Sequence, residues 1–190
     1  LLLYFLERAK AQAGDSDPVE IVCEIVSRER TKVRALSGDS FQANQALSRR
    51  AVRSAVEQIR LADEWIAALS SDDPPNECGK LMRDWFQWPP ASPDADDPDY
   101  SRMSGDELVR SLVEKAESRH EQHAGKIHAV WSRAIGLSSR RLSRRTRYAP
   151  NDRLLKTLVI SIVDDRMQFD EFLQEVLSRY GMVIGDAEGS

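Results

Sequence analysis

Several residues that mark particular protein classes are scarce in this chain of 190 residues. It has 2 cysteines, Cys23 and Cys78, which lie far apart and match no metal-binding spacing, so a disulfide framework is excluded and a reducing compartment is indicated. No apolar run approaches the ~18 residues of a membrane helix, and the apolar start Leu1–Leu6 soon becomes charged. We therefore expect a cytoplasmic protein with no membrane partner.

Glycine and aromatic residues are also few, with 9 Gly and 7% aromatic residues. The abundance of Ala, Leu, Arg and Glu favours helix over sheet, and 41% hydrophobic residues suffice for a core. The sequence therefore predicts an all-α fold. It contains no Gly-x-Ser-x-Gly, Walker A or Gly-x-Gly-x-x-Gly motif, so we expect no catalytic residues and no cofactor.

Two long helices are predicted at about 40–70 and 104–135, where apolar residues alternate in steps of three and four. The first seam comprises Val52, Ala55, Ile59, Ala62, Ile66 and Leu69, and the second comprises Val109, Leu112, Ala116, His120, His123, Ile127, Val130 and Ala134. Such seams are typical of helices that pair as in coiled coils. We expect the two helices to pair antiparallel and to form the centre of a helical bundle.

Local signals place the ends of several elements. Ser104 and Glu107 form a capping box that starts the second long helix. Asp17-Pro18 predicts the start of an earlier helix, which Gly38 would end. Asn151 or Asp152 is expected to cap a helix near the C-terminus.

Charge is distributed unevenly along the chain, whose net charge is -4. The stretch from Asp72 to Glu107 carries ten acidic and three basic residues and includes a proline-rich segment at about 88–103, expected to be a mobile acidic loop. The stretch from Arg133 to Lys156 carries eight basic residues and one acidic residue. We predict a bundle at 1–137, an Arg-rich linker at 138–150 and a small helical unit at 151–188.

The last unit resembles the first half of a winged-helix domain. Asp152 to Gly185 offers a helix, a short strand or entry turn at Met167–Phe169, a second helix and a short apolar segment at Met182–Ile184. Winged-helix domains continue with a recognition helix and a wing, whereas this chain runs into Asp186–Glu188. The resemblance therefore implies an incomplete, partly winged-helix-like unit.

One possible metal site lies on the second long helix. Glu117 and His120 have the Glu-x-x-His spacing of helical di-iron proteins, and His123 follows one turn later. A di-iron site needs a second such pair and two further Glu, and zinc needs three or four convergent ligands. A metal-dependent helical enzyme is thus the third of our hypotheses. The simpler interpretation is that the histidines are polar members of an apolar seam.

The Arg-rich segment is the best functional lead. Its five arginines, suited to bidentate phosphate contacts, are Arg140, Arg141, Arg144, Arg145 and Arg147. The leading hypothesis is a non-catalytic module that contacts DNA or RNA through them. The alternatives for this segment are a solvated linker, or docking on the acidic loop or on the acidic face of a partner.

A protein-interaction or assembly domain is the alternative function, with the acidic loop and the helical seams recruiting a partner. Trp85, Phe86 and Trp88 would then either cap the bundle or form an exposed aromatic patch. The Arg-rich, Lys-poor composition is typical of a bacterial protein from a GC-rich genome. The start at Leu1 without Met suggests a piece of a longer protein, whose other domains are expected partners.

Overall fold

The computed structural model describes residues 1–25, 32–90, 98–140 and 145–184. The chain is mostly helical, as predicted. The helices are α1 (Leu2–Gln12), α2 (Lys32–Glu57), α3 (Asp63–Leu69), α4 (Pro74–Phe86), α5 (Gly105–His123), α6 (Ile127–Ala134), α7 (Asp152–Ile162) and α8 (Phe169–Tyr180). Short 3-10 turns cover Gln58–Leu61 and Tyr100–Arg102. The strands are β1 (Ile21–Cys23), β2 (Ser138–Ser139), β3 (Arg147–Tyr148) and β4 (Met182–Ile184).

The chain divides into two compact units. The first, here the split unit, comprises Leu1–Ser48 and Ala124–Ser190, and the second, here the inserted unit, comprises Arg49–His123. This division differs from the predicted domains at 1–137, 138–150 and 151–188. The first and last parts of the chain fold together, which local sequence patterns do not reveal.

The split unit contains two small sheets that the all-α prediction did not include. β1 pairs in parallel with β4, and Ile21 lies opposite Met182. β2 pairs antiparallel with β3, and Ser138 lies opposite Tyr148. The backbone N–H of Glu24 donates to the Tyr148 carbonyl at 3.0 Å, so the segment after β1 is also tied to β3.

The prediction that Asp17-Pro18 starts a helix ending at Gly38 is wrong. The segment after Pro18 leads into β1, because the chain from Met182 to Ile184 supplies a parallel strand partner. Gly38 lies inside α2 and is buried, and the Arg145 side chain crosses it. A Cβ at this position would lie 3.6 Å from Arg145 Cδ, so Gly38 gives room to that side chain.

Neither predicted long helix is continuous. The first is broken between Glu57 and Asp63, where a 3-10 turn is followed by Ala62 in an extended conformation with ψ of 134°. The second is broken between α5 and α6 at residues 124–126. The break after Glu57 brings Ile59 and Trp65 into one core, whereas Ile66 of the predicted seam is 51% exposed.

The inserted unit therefore has a core of short helices in place of two paired long ones. α4 contacts both α3 and α5. The buried core residues are Ile59, Trp65, Ala68, Cys78, Met82, Trp88, Tyr100, Leu108, Val109, Leu112 and Val113. The predicted capping box at the start of α5 is confirmed, because the Ser104 N–H donates to Glu107 Oε2 at 2.8 Å and the Glu107 N–H faces Ser104 Oγ at 3.4 Å.

The described ends of the predicted acidic loop belong to this core. The rings of Trp88 and Tyr100 are both buried and pack edge to face with centroids 4.9 Å apart. Residues 91–97, which carry most of the loop's acidic side chains, lie outside the described residues. Trp88 thus packs in the core, whereas Trp85 and Phe86 are 39% and 43% exposed.

The helix-helix-strand order of the winged-helix resemblance is present as α7, α8 and β4. Of the short strand or entry turn predicted at Met167–Phe169, the strand is not formed: Met167 and Gln168 are irregular and lead into α8, which starts at Phe169. Asn151 caps α7 as predicted, accepting a hydrogen bond from the Leu154 N–H at 2.9 Å.

Gly105, the first residue of α5, is expected to tolerate no larger side chain. A Cβ there would lie 2.6 Å from Leu69 Cδ2 and 3.2 Å from both Cys78 Sγ and Trp65 Cζ2. Gly105→Ala should therefore lower the free energy of unfolding by about 1–3 kcal/mol through overpacking, measured by urea denaturation. Gly79→Ala is the matched helical control, because its Cβ would meet only Arg83 Nη1, at 3.5 Å. The control should be neutral or stabilising, and equal losses in both variants would contradict the packing argument.

Candidate nucleic-acid interface

The predicted Arg-rich linker is a β-hairpin in the split unit. β2 and β3 form its two strands, and the chain from Arg140 to Thr146 connects them. Arg141 and Arg144 lie in this connection, outside the described residues. The basic segment is therefore anchored on both sides by a paired backbone.

Tyr148 fixes the base of the hairpin through a buried polar network. Asn44 Nδ2 donates to the Tyr148 hydroxyl at 3.1 Å and to the Glu20 carbonyl at 3.0 Å. The Tyr148 hydroxyl lies 2.7 Å from His128 Nε2. A tyrosine hydroxyl can both accept and donate, so Tyr148 can join Asn44 and His128 in one network.

Burial controls the protonation of this network. It lowers the pKa of His128 to about 4 and raises the pKa of Tyr148 above its usual value. At neutral pH both groups are therefore uncharged. The Phe41 ring completes the packing, with centroids 4.7 Å from His128 and 5.2 Å from Tyr148. No sequence pattern assigns a role to His128, Tyr148 or Asn44, because they are distant in sequence and match no motif.

Arg147 forms a buried ion pair instead of a surface contact. Its Nε donates to Glu24 Oε2, and the two side chains are only 11% and 5% exposed. Of the five arginines predicted to contact phosphate, Arg147 is thus held inside the fold. Glu24 was not singled out from the sequence, since it lies 123 residues from its partner.

Arg145 and Arg140 lie at the exposed end of the hairpin. Arg145 is about half exposed, and its Nη2 donates to Asp39 Oδ1 on α2 at 2.7 Å. Arg140 is exposed, and its Nε donates to Thr146 Oγ1 at 3.0 Å across the connection. These contacts orient two guanidinium groups while leaving them at the surface.

The first turns of α2 add positive charge near Arg145. Lys32 precedes Asp39 by seven residues and Arg34 precedes Gly38 by four, so each shares a helix face with a residue that Arg145 contacts. The hairpin end and this part of α2 together present Lys32, Arg34, Arg140 and Arg145. We call these four residues the basic surface.

Glu117, one of the three possible metal ligands, is bound by two arginines. Both carboxylate oxygens of Glu117 accept guanidinium hydrogen bonds, at 2.8 Å from Arg53 Nε and 2.7 Å from Arg49 Nη2. These hydrogen bonds hold the pKa of Glu117 below its usual range. His120 and His123 lie near the end of α5, and the described residues contain no group of three or more His, Cys, Asp or Glu that could hold a metal ion.

No protein family, no curated protein and no solved structure matches this chain. Among the described helices, none has the length and apolar character needed to cross a membrane.

Proposed function

We propose that the split unit is a non-catalytic module of a larger bacterial protein and contacts the phosphate groups of nucleic acid through its Arg-rich hairpin. The observation that supports this most directly is the hairpin itself, fixed at its base by Tyr148 and Arg147 and basic at its exposed end. A fixed hairpin loses little conformational entropy when it binds, which favours affinity.

The chemistry of the basic surface fits a phosphate backbone. Arginine presents several N–H donors in a planar fork that suits bidentate contacts with phosphate oxygens, and Arg145 is about half exposed. The sequence between Arg140 and Arg145 also contains Arg141 and Arg144, which bring two further positive charges. The winged-helix resemblance stays a prediction, and this proposal does not depend on it.

The proposal predicts a salt-dependent loss of binding in Arg140→Gln/Arg145→Gln. We expect affinity for a duplex and for a single strand to fall about tenfold or more at low salt, since each lost phosphate contact also lowers the slope of log K against log salt by about 0.9 on duplex DNA. Fluorescence anisotropy at several salt concentrations measures both quantities. Comparing the affinity for the duplex with the affinity for the single strand shows which of the two the protein prefers.

Arg83→Gln/Arg166→Gln is the charge-matched control, because it removes two exposed arginines that do not belong to the hairpin. It should retain most of the affinity and the full salt slope. Absence of binding by the unaltered chain at low salt, or an equal loss in the two double variants, would refute the proposal.

A second candidate is self-association through the inserted unit. Trp85 and Phe86 on α4 are both exposed, and their rings contact each other edge to face at 6.3 Å. Ile66 and Leu69 on α3 are also 51% and 45% exposed. Exposed aromatic side chains of this kind are typical of protein interfaces. Light scattering should then show a dimer that Trp85→Ser/Phe86→Ser converts to a monomer, and a monomer at all concentrations would contradict this candidate.

A further inference from the structure

The split unit contains a cleft that the proposed nucleic-acid contact does not use. It has a volume of about 590 Å³ and lies between the start of α1, the end of α6, α7 and the strand β4. Pockets of about 300–1,000 Å³ are the size at which proteins bind small molecules. All the lining residues belong to the same unit and are described.

The floor and walls of the cleft are apolar. Leu2, Leu137, Leu158 and Met182 line it and are almost completely buried. Ile135 also lines it and is 49% exposed. A ligand in the cleft would cover the apolar surface that the lining leaves exposed, such as that of Ile135, and remove it from water at about 25 cal/mol per Å². The occupant must therefore have an apolar body.

The polar groups of the cleft lie along one side of α7. Arg153, Thr157 and Ser161 follow each other at intervals of four residues, so they share one helix face, and all three line the cleft. Among the side chains of the described residues that line it, only that of Arg153 is charged. A bound cation would therefore be repelled, and an anion would be attracted.

Tyr180 adds a hydrogen-bond donor at the same face. The Thr157 hydroxyl donates to the Arg153 carbonyl at 2.9 Å, and the Ser161 hydroxyl donates to the Leu158 carbonyl at 2.9 Å. Both hydroxyl protons are thus used within α7. The Tyr180 hydroxyl lies 3.4 Å from Ser161 Oγ, a long contact, so its proton can turn to a ligand.

We propose that this cleft binds a small organic anion with an apolar body, of the alkyl carboxylate class. The carboxylate pairs with Arg153, and the alkyl chain covers the apolar lining that is still exposed, such as Ile135. Inorganic phosphate would pair with the Arg153 guanidinium but would leave the apolar walls uncovered. An alcohol with the same alkyl chain would cover the apolar walls but would bring no negative charge to Arg153. Only the combined ligand uses both features of the cleft.

Calorimetric titration of the full chain with decanoate, decanol and inorganic phosphate tests this assignment. We expect one saturable site for decanoate, at least tenfold weaker binding of decanol, and no detectable binding of phosphate at the cleft. Arg153→Gln should weaken decanoate binding by about tenfold and leave decanol binding unchanged, since the interaction lost is charge-assisted. Ser161→Phe, which places a ring in the cleft from an exposed position, should abolish both.

Lys156→Gln is the matched control, because it removes an exposed positive charge of α7 that does not line the cleft. Its affinity for decanoate should equal that of the unaltered chain, and thermal melts of every variant establish that each is folded. The proposal is overturned if decanoate shows no saturable binding, if decanol binds as tightly as decanoate, or if Lys156→Gln weakens binding as much as Arg153→Gln.

Discussion

Arg147→Met is expected to lower the free energy of unfolding by about 3–5 kcal/mol, the usual effect of removing one member of a buried ion pair. The loss arises at Glu24, which would keep a buried negative charge without its counterion. Its Oε1 already has no hydrogen-bond partner among the described residues, so both oxygens would then be unsatisfied. Urea denaturation monitored by circular dichroism measures the change.

Arg145→Met provides a control on the same hairpin. Its ion pair with Asp39 is as close as 2.7 Å, but the two side chains are 53% and 61% exposed. Water already solvates such a pair, so its removal should change the free energy of unfolding by about 1 kcal/mol or less. If both variants lose the same stability, burial is not what distinguishes the two arginines.

The double variant Glu24→Gln/Arg147→Met isolates the unpaired charge. Glutamine has the shape of glutamate without its charge, so the double variant should be more stable than Arg147→Met alone. A double variant as unstable as the single one would show that Arg147 acts mainly through packing. The same variants separate folding from binding, because Arg145→Met should weaken nucleic-acid binding whereas folded Arg147→Met should retain it.

These contrasting arginines show what the sequence could and could not reveal. The chain carries Arg140, Arg141, Arg144, Arg145 and Arg147 with similar local surroundings, and composition alone makes all five equivalent. Arg147 differs because it occupies a strand position beside Glu24, which lies 123 residues earlier. Pairing over such a distance depends on the whole fold, and no local pattern reports it.

Elements defined by local signals were easier to predict. The start of α5 follows from Ser104 and Glu107, and the start of α7 follows from Asn151, because a cap acts through residues two or three positions away. The pairing of β1 with β4 depends on residues near opposite ends of the chain. The break after Glu57 also escaped prediction, since the seam of threes and fours continues through it and only the packing of Trp65 shows where the chain turns.

The burial of His128 leads to the second large prediction, which is that the stability of the fold depends on pH. Its pKa is about 4 in the folded chain, against an ordinary value of 6.5. Between these values the unfolded chain binds a proton that the folded chain excludes. The free energy of unfolding is therefore highest above pH 6.5 and decreases as the pH falls toward 4. The loss approaches 1.4 kcal/mol per pH unit and about 3 kcal/mol in all.

His128→Gln tests this directly. Glutamine can accept the Tyr148 hydroxyl hydrogen bond through its Oε1 but does not titrate, so the variant should lose most of the slope between pH 6.5 and 5, even if it is less stable at neutral pH. Glu117 also has a lowered pKa, but its ordinary value is 4.5, so its contribution is lost at lower pH. Urea midpoints at pH 7, 6 and 5 for both proteins give the slopes. An equal slope in both would place the titrating group elsewhere, whereas a slope confined to the unaltered chain would show that the hairpin base requires neutral His128.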